Sequence, residues 1–256
     1  MGTFFKYQGT GNDFVMIDNR LNDISLSESQ IEHLCHRRFG IGADGLIIIE
    51  NADGYDFRMK YYNADGKEGS MCGNGGRCAV KFASDLGVFS GSTSFIAVDG
   101  PHEASIENDI VSLGMIDVSG VETLEQAWFL NTGSPHYIAF EKSLETKNVK
   151  DAGAEIRYAD FWVNRGGTNV NFVEQIGENE IFVRTYERGV EDETYSCGTG
   201  VTAAALISNL EKGLSSPIKI KTLGGNLSVG FANPSGHNFT NIELKGPAIR
   251  VFEGVF

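Results

Sequence analysis

The sequence predicts an α/β protein built as two pseudo-symmetric domains. Three observations predict it. Strand-like and helix-like runs alternate along all 256 residues. One pattern occurs twice: a strand, a polar turn, a Cys-Gly-X-Gly step, a helix and a β-hairpin. The chain is also long enough, and at 41% hydrophobic apolar enough, to fill two cores.

The elements follow in order. FFKYQGTGNDFVMID (4–18) gives two apolar runs around a Gly/Asn turn. Ser27 with Gln30 has capping-box spacing and opens an amphipathic helix over QIEHLCHRRF (30–39). GIGADGLIIIE (40–50) turns into a buried strand, YDFRMKYYN (55–63) is another strand, and NADG (63–66) is a turn.

The repeat then begins. MKYYN (59–63) ends nine residues before Cys72, and VRTYE (183–187) ends ten before Cys197. Helical runs follow, RCAVKFASDLG (77–87) and VTAAALISNLEKG (201–213), closing on Gly87 and Gly213. Gly100 and Gly225 each lie 28 residues after their cysteine, in a strand–turn–strand. The domain boundary falls near residue 118, before VSGVETLEQAW (118–128). The tail AIRVFEGVF (248–256) is a strand that either half could take.

Composition narrows the function. A formal charge of −13 argues against a general nucleic-acid or anionic-membrane binder, while leaving room for a small anionic substrate held by local donors. The N-terminal segment lacks the apolar run of a signal peptide, and no stretch reaches the 18 or so apolar residues of a membrane span. The expectation is a cytoplasmic protein with reduced thiols, in which four cysteines are no disulfide framework.

The two Cys-Gly-X-Gly steps carry the chemistry. A helix start leaves N–H groups unpaired and carries partial positive charge. Gly73-Asn74-Gly75 and Gly198-Thr199-Gly200 therefore read as anion cradles. The same field lowers a thiol pKa toward the reactive range. Two similar halves facing each other would present one sulfur to each side of a bound molecule. One thiolate would then remove an α-proton while the other thiol delivers one from behind. Cys35 and Cys78 lie among apolar neighbours within predicted helices and read as buried packing residues. Spacing alone leaves that ordinary role open for Cys72 and Cys197 as well. A dinucleotide fingerprint is only partly matched, a P-loop is absent, C-x5-C is not a zinc spacing, and no lysine is marked as a Schiff base.

These residues resemble those of the diaminopimelate epimerases. The resemblance rests on GTGNDFVMID (9–18), GIGADG (40–45), YNADGKEGSMCGNGGRC (62–78), GSPH (133–136), TNVNF (168–172), YERG (186–189) and SCGTG (196–200). Each motif is weak alone; in the family's order across most of the chain they are specific. The resemblance implies two domains, each a mixed sheet wrapped around a central helix. It gives the first domain residues 1–118 with 249–256, and the second 119–248. It implies cofactor-independent interconversion of LL- and meso-diaminopimelate, with no metal, feeding lysine and cell-wall synthesis. Cys72 and Cys197 match the catalytic thiols. Gly73, Asn74, Gly198 and Thr199 match the cradles for the reacting carboxylate. Asn12, Asn63, Asn169, Glu187 and Arg188 match substrate-binding positions, and His136 and Glu187 match positions that tune the thiols. Arg188 suits a distal carboxylate, and amide and carboxylate oxygens suit a distal ammonium.

Three departures stand out. Ser134 replaces the family's usual Asn, RGVEDETYSCG (188–198) is about one residue longer than usual, and Phe252 stands where many members have Tyr near a dimer contact. A homodimer is the implied assembly.

Overall fold

The computed structural model describes residues 2–69 and 71–256; Ser70, within the YNADGKEGSMCGNGGRC motif, lies outside them. Strands β1 (Thr3–Gly9) and β2 (Asn12–Asp18) form the expected antiparallel hairpin. Its two-residue turn needs positive φ at both positions, adopted by Thr10 at 52° and Gly11 at 86°. Helix α1 (Glu28–Cys35) starts on the expected capping box, with Ser27 and Gln30 each accepting from the other's backbone. The helix is shorter than its periodicity suggests. The carbonyls of Leu34 and Cys35 accept from Ile41, Gly42 and Ala43. That exchange pulls residues 36–39 out of the helix.

Strand β3 (Gly45–Ala52) runs parallel to β2 and antiparallel to β4 (Tyr55–Asn63). Helix α2 (Gly73–Asp85) crosses to β5 (Ser92–Ala97), parallel to β4. Strands β6 (Gly100–Glu107) and β7 (Ile110–Gly114) continue as an antiparallel meander. Buried positions run all around α2, from Gly73 through Ala83 with Lys81 excepted. A helix without a wet face is a core helix. It touches β1, β2, β3, β4 and β6, so the sheet curls around it.

The second unit repeats this plan. Strands β8 (Val118–Ser119) and β9 (Glu122–Thr123) lead into the hairpin β10 (Trp128–Asn131) and β11 (Pro135–Phe140). Helices α3 (Val149–Arg157) and α4 (Asp160–Val163) cross to β12 (Asn169–Gly177), parallel to β11. Strand β13 (Glu180–Glu187) pairs antiparallel with β12 and with the short β14 (Asp192–Thr194). Helix α5 (Gly198–Lys212) then crosses to β15 (Ile218–Thr222), parallel to β13. Strands β16 (Gly225–Ser235) and β17 (Asn238–Pro247) complete the antiparallel meander. Helix α5 ends on Gly213 at φ 67°, the left-handed cap its sequence asks for. Its buried stretch, Val201–Ile207, packs with Val173, Val183, Ile220, Val229 and Leu244.

Strand β18 (Ile249–Val255) pairs antiparallel with β1, from Thr3 opposite Val255 to Gln8 opposite Ile249. The contacts divide the chain into one unit ending at Leu113 and resuming at Gly246, and another over Gly114–Lys245. The sequence places those limits at 118 and 249. The chain changes partners earlier because the Met115 amide donates to the Ile242 carbonyl and Val118 pairs with Phe239.

Candidate active site

Each unit carries its own cluster at the start of its central helix. In the first, Cys72 immediately precedes α2 in extended conformation, and its side chain makes no capping bond. Its carbonyl accepts from the Gly76 amide at 2.7 Å, so the amides of Gly73, Asn74 and Gly75 lie outside the i→i−4 ladder. The Cys72 thiol donates to Asn12 Oδ1 at 3.7 Å, and Asn74 Nδ2 donates to the same oxygen at 3.4 Å. The hairpin turn thus brings Asn12 to the helix start. Asn63 lies at the exposed end of β4, opposite Gly45, where its backbone closes the turn to Gly66.

The second cluster is assembled from β11, β12 and α5. Cys197 immediately precedes α5, again extended and without a capping bond, and its carbonyl accepts from the Val201 amide. Its Sγ lies 3.5 Å from Thr199 Oγ1. Thr199 Oγ1 lies 2.9 Å from His136 Nε2 and 3.0 Å from Ser134 Oγ. Asn169 Nδ2 donates to Ser134 Oγ and to the Pro135 carbonyl, while its Oδ1 accepts from the Arg188 amide. Arg188 is exposed and donates to the Gly166 carbonyl; Glu187 is half-buried at the end of β13.

His136 is fully buried. Burial, reinforced by the Arg188 charge, pushes its pKa down to about 3. The ring is therefore neutral near pH 7, and any influence it has on a thiol passes through hydrogen bonds, not through an imidazolium charge.

The other cysteines are packing residues. Burial pushes the Cys35 thiol up to about 11 and the Cys78 thiol up to about 12. Among the described residues no group of three His, Cys, Asp or Glu side chains is placed to hold a metal, and no helix is long and apolar enough to cross a membrane.

The glycines after each cysteine differ from the reading that all serve a ligand. A methyl group on Gly75 would press on Ile47 Cδ1 at 3.3 Å, and one on Gly200 would collide with Asn171 Oδ1. Both glycines let the first helical turn lie close on the sheet behind it.

A sequence profile described as diaminopimelate epimerase matches residues 4–115 and 128–251. The chain belongs to the diaminopimelate epimerase family. It is 53% identical to the diaminopimelate epimerase of Flavobacterium psychrophilum, over 97% of this chain and 98% of that one. It is 44% identical to that of Chlorobaculum tepidum, over 96% and 98%. Solved structures share the fold. A Bacillus anthracis phenazine biosynthesis protein of the PhzF family gives a TM-score of 0.79 at 13% identity, covering 100% of this chain and 98% of its own. A hydroxyproline epimerase from Agrobacterium vitis gives 0.72 at 13% identity, covering 100% and 90%.

As a member of the diaminopimelate epimerase family the chain is an isomerase of the racemase and epimerase kind. Its departure at Ser134 is absorbed locally, because Ser134 Oγ lies 2.9 Å from His136 Nε2 and joins that ring to Asn169. The lengthened segment before Cys197 forms a four-residue turn between the paired Glu187 and Asp192. Glu191 closes it in the left-handed region at φ 57°, its carboxylate accepting from the Gly189 amide and from the Tyr186 hydroxyl.

Four residues of these clusters escaped the sequence reading: Asp44, Arg77, Asn171 and Thr185. All four lie inside stretches named above: GIGADG, GNGGRC, TNVNF and, for Thr185, VRTYE. Apart from the bonds of Arg77 to Asn74 and Gly73 within α2, their partners are distant in sequence, and no spacing rule links them.

Proposed function

We propose that this chain interconverts LL- and meso-diaminopimelate without a cofactor, with Cys72 and Cys197 as the two acid–base groups. The observation that carries the reading is the repeated device: in each unit a cysteine sits immediately before a buried helix, beside amides outside the helical ladder. One sulfur, as thiolate, takes the α-hydrogen as a proton. The electron pair left on carbon spreads into the α-carboxylate. The other sulfur, as thiol, gives its proton to the opposite face, and the two sulfurs end with exchanged protonation. Amides of Gly73, Asn74, Gly198 and Thr199 aimed at that carboxylate stabilise it most when it carries the enolate charge.

The distal amino-acid head falls to Asn12, Asn63, Asn169, Glu187 and Arg188. The Arg188 guanidinium is exposed and suits a carboxylate, and Glu187 suits an ammonium. His136 acts on its thiol through Thr199, and Glu187 raises the pKa of a nearby thiol by its charge. The physiological setting is the cytoplasm, in lysine and cell-wall precursor synthesis. The protein works as a homodimer, for which the exposed Val251 and Phe252 of β18 are suitable contact residues.

The test is incubation with LL-diaminopimelate in deuterium oxide, with L-proline in parallel and nothing added. Meso product carrying deuterium at the α-carbon, with L-proline unchanged, is the expected result. Product without deuterium excludes the proton-exchange step, and turnover of proline alone reassigns the substrate. Sedimentation at micromolar concentration reports the assembly; a monomer removes the dimer.

A further inference from the structure

Two hydrogen-bond chains end at the two cysteines with opposite chemistry. In the first unit the chain begins at Arg77, whose guanidinium only donates. Arg77 Nη2 donates to Asn74 Oδ1 at 3.0 Å, and Asn74 Nδ2 donates to Asn12 Oδ1 at 3.4 Å. Asn12 Nδ2 in turn donates to Asp44 Oδ2 at 2.6 Å. Asp44, held by Arg37 at 2.6 Å, only accepts. A donor at one end and an acceptor at the other leave both amides a single orientation. Flipping Asn74 sets N–H against N–H at Arg77; flipping Asn12 sets oxygen against oxygen at Asp44. That orientation presents Asn12 Oδ1 to Cys72 Sγ. A thiol donates to this oxygen, whereas a thiolate is repelled by it.

The second unit runs the other way. Thr185 Oγ1 donates to Asn171 Oδ1 at 2.9 Å. Asn171 Nδ2 then donates to the Tyr137 carbonyl at 3.0 Å and to His136 Nδ1 at 3.1 Å. A neutral ring that accepts at Nδ1 carries its hydrogen on Nε2. That hydrogen faces Ser134 Oγ and Thr199 Oγ1, both at 2.9 Å, and Asn169 also donates to Ser134. With these donors feeding in, the Thr199 hydroxyl hydrogen is directed to Cys197 Sγ at 3.5 Å. A hydroxyl donor favours a thiolate.

We propose that the substrate-free protein keeps its proton on Cys72 and its negative charge on Cys197, with Asp44 and Asn171 as the positioning residues that set this asymmetry. The assignment rests on the two-thiol reading above. Other charges act on the same groups. Arg77 and Cys78 lie on α2, which Cys72 immediately precedes; the Arg77 charge favours a thiolate there, and Asp13 and Asp44, each paired with Arg37, oppose it. Arg77 Nη1 and Nη2 donate to Gly73, Thr10 and Asn74, while the Asn12 carbonyl is in direct contact with the Cys72 thiol. In the second unit the neutral His136 faces Thr199, with the Arg188 charge acting on the ring and Glu187 beside it in sequence.

The experiment is peptide-resolved alkylation by iodoacetamide as a function of pH, on substrate-free protein. The Cys197 midpoint is expected about one unit or more below that of Cys72. Asp44→Asn and Asn12→Ala each lower the Cys72 midpoint by about half to one unit, and Thr199→Val raises that of Cys197 similarly. The opposite order of midpoints in the wild type overturns the proposal, as does an unmoved Cys72 midpoint in Asn12→Ala. The wild-type order needs no variant, so a poorly folded Asp44→Asn does not blunt the test. No diaminopimelate is present, so a failed substrate assignment is told apart from a failed proton assignment.

Discussion

Lys6 Nζ lies 2.7 Å from Asp13 Oδ2, with both side chains largely buried. Arg37 holds the other Asp13 oxygen at 2.7 Å and also reaches Asp44. Burial pushes the Asp13 carboxyl up, but hydrogen bonds from Arg37 and Lys6 outweigh it and hold the pKa near about 2. Asp13→Asn leaves the Lys6 ammonium buried without its carboxylate. Urea denaturation is expected to show a loss of about 3 kcal/mol. The native pKa lies below the ordinary value of 3.8, so the stability Asp13 contributes is present above that value and lost as pH falls through 2. The variant should therefore lack this part of the acid limb.

His136 makes a second acid-side prediction. The unfolded chain binds a proton on this ring near pH 6.5, while the native ring resists until about 3. Stability is then complete above 6.5 and declines as pH falls toward 3. His136→Asn should flatten that decline. In the wild type, nuclear magnetic resonance should find the ring neutral at pH 5, with its hydrogen on Nε2. An imidazolium at pH 6 would contradict the burial argument.

Gly200→Ala sets a methyl group against Asn171 Oδ1 and Cys197 Sγ. The expected cost is about 1–3 kcal/mol in thermal or chemical unfolding. Turnover should fall more than stability alone explains, because Asn171 sets the His136 tautomer. Full activity in the variant would show that the first turn of α5 has room to shift.

Cys72→Ala and Cys197→Ala are each expected to lower epimerisation by about a thousandfold or more, measured as kcat/KM in both directions. Inversion at carbon needs an acid and a base on opposite faces, and one sulfur serves only one face. Near-normal turnover by either variant would leave that thiol without a role.

The repeat was legible because glycines and cysteines recur at matching intervals: Gly100 and Gly225 open the second strand of matching hairpins, at φ 120° and 141°. The Ser27 cap was legible because a capping box is local. The helix end at Cys35 was not, since the amides of residues 41–43 that donate to the Leu34 and Cys35 carbonyls reach them only in the folded chain. The clusters split the same way. Cys72 and Cys197 announce themselves by the Gly-X-Gly that follows each. The Arg77–Asn74–Asn12–Asp44 chain does not, because it links three segments and depends on which amide atom faces which partner.

Strand β18 belongs to the sheet of the first unit yet follows the whole second unit in the chain. Synthesis is vectorial, so β1 is made early and waits for its neighbour while the entire other half emerges. Through that interval one edge of β1 stays open to mispairing. A product lacking β18 would leave that edge of β1 unpaired, so the sheet bearing Cys72 is completed only once β18 has been made.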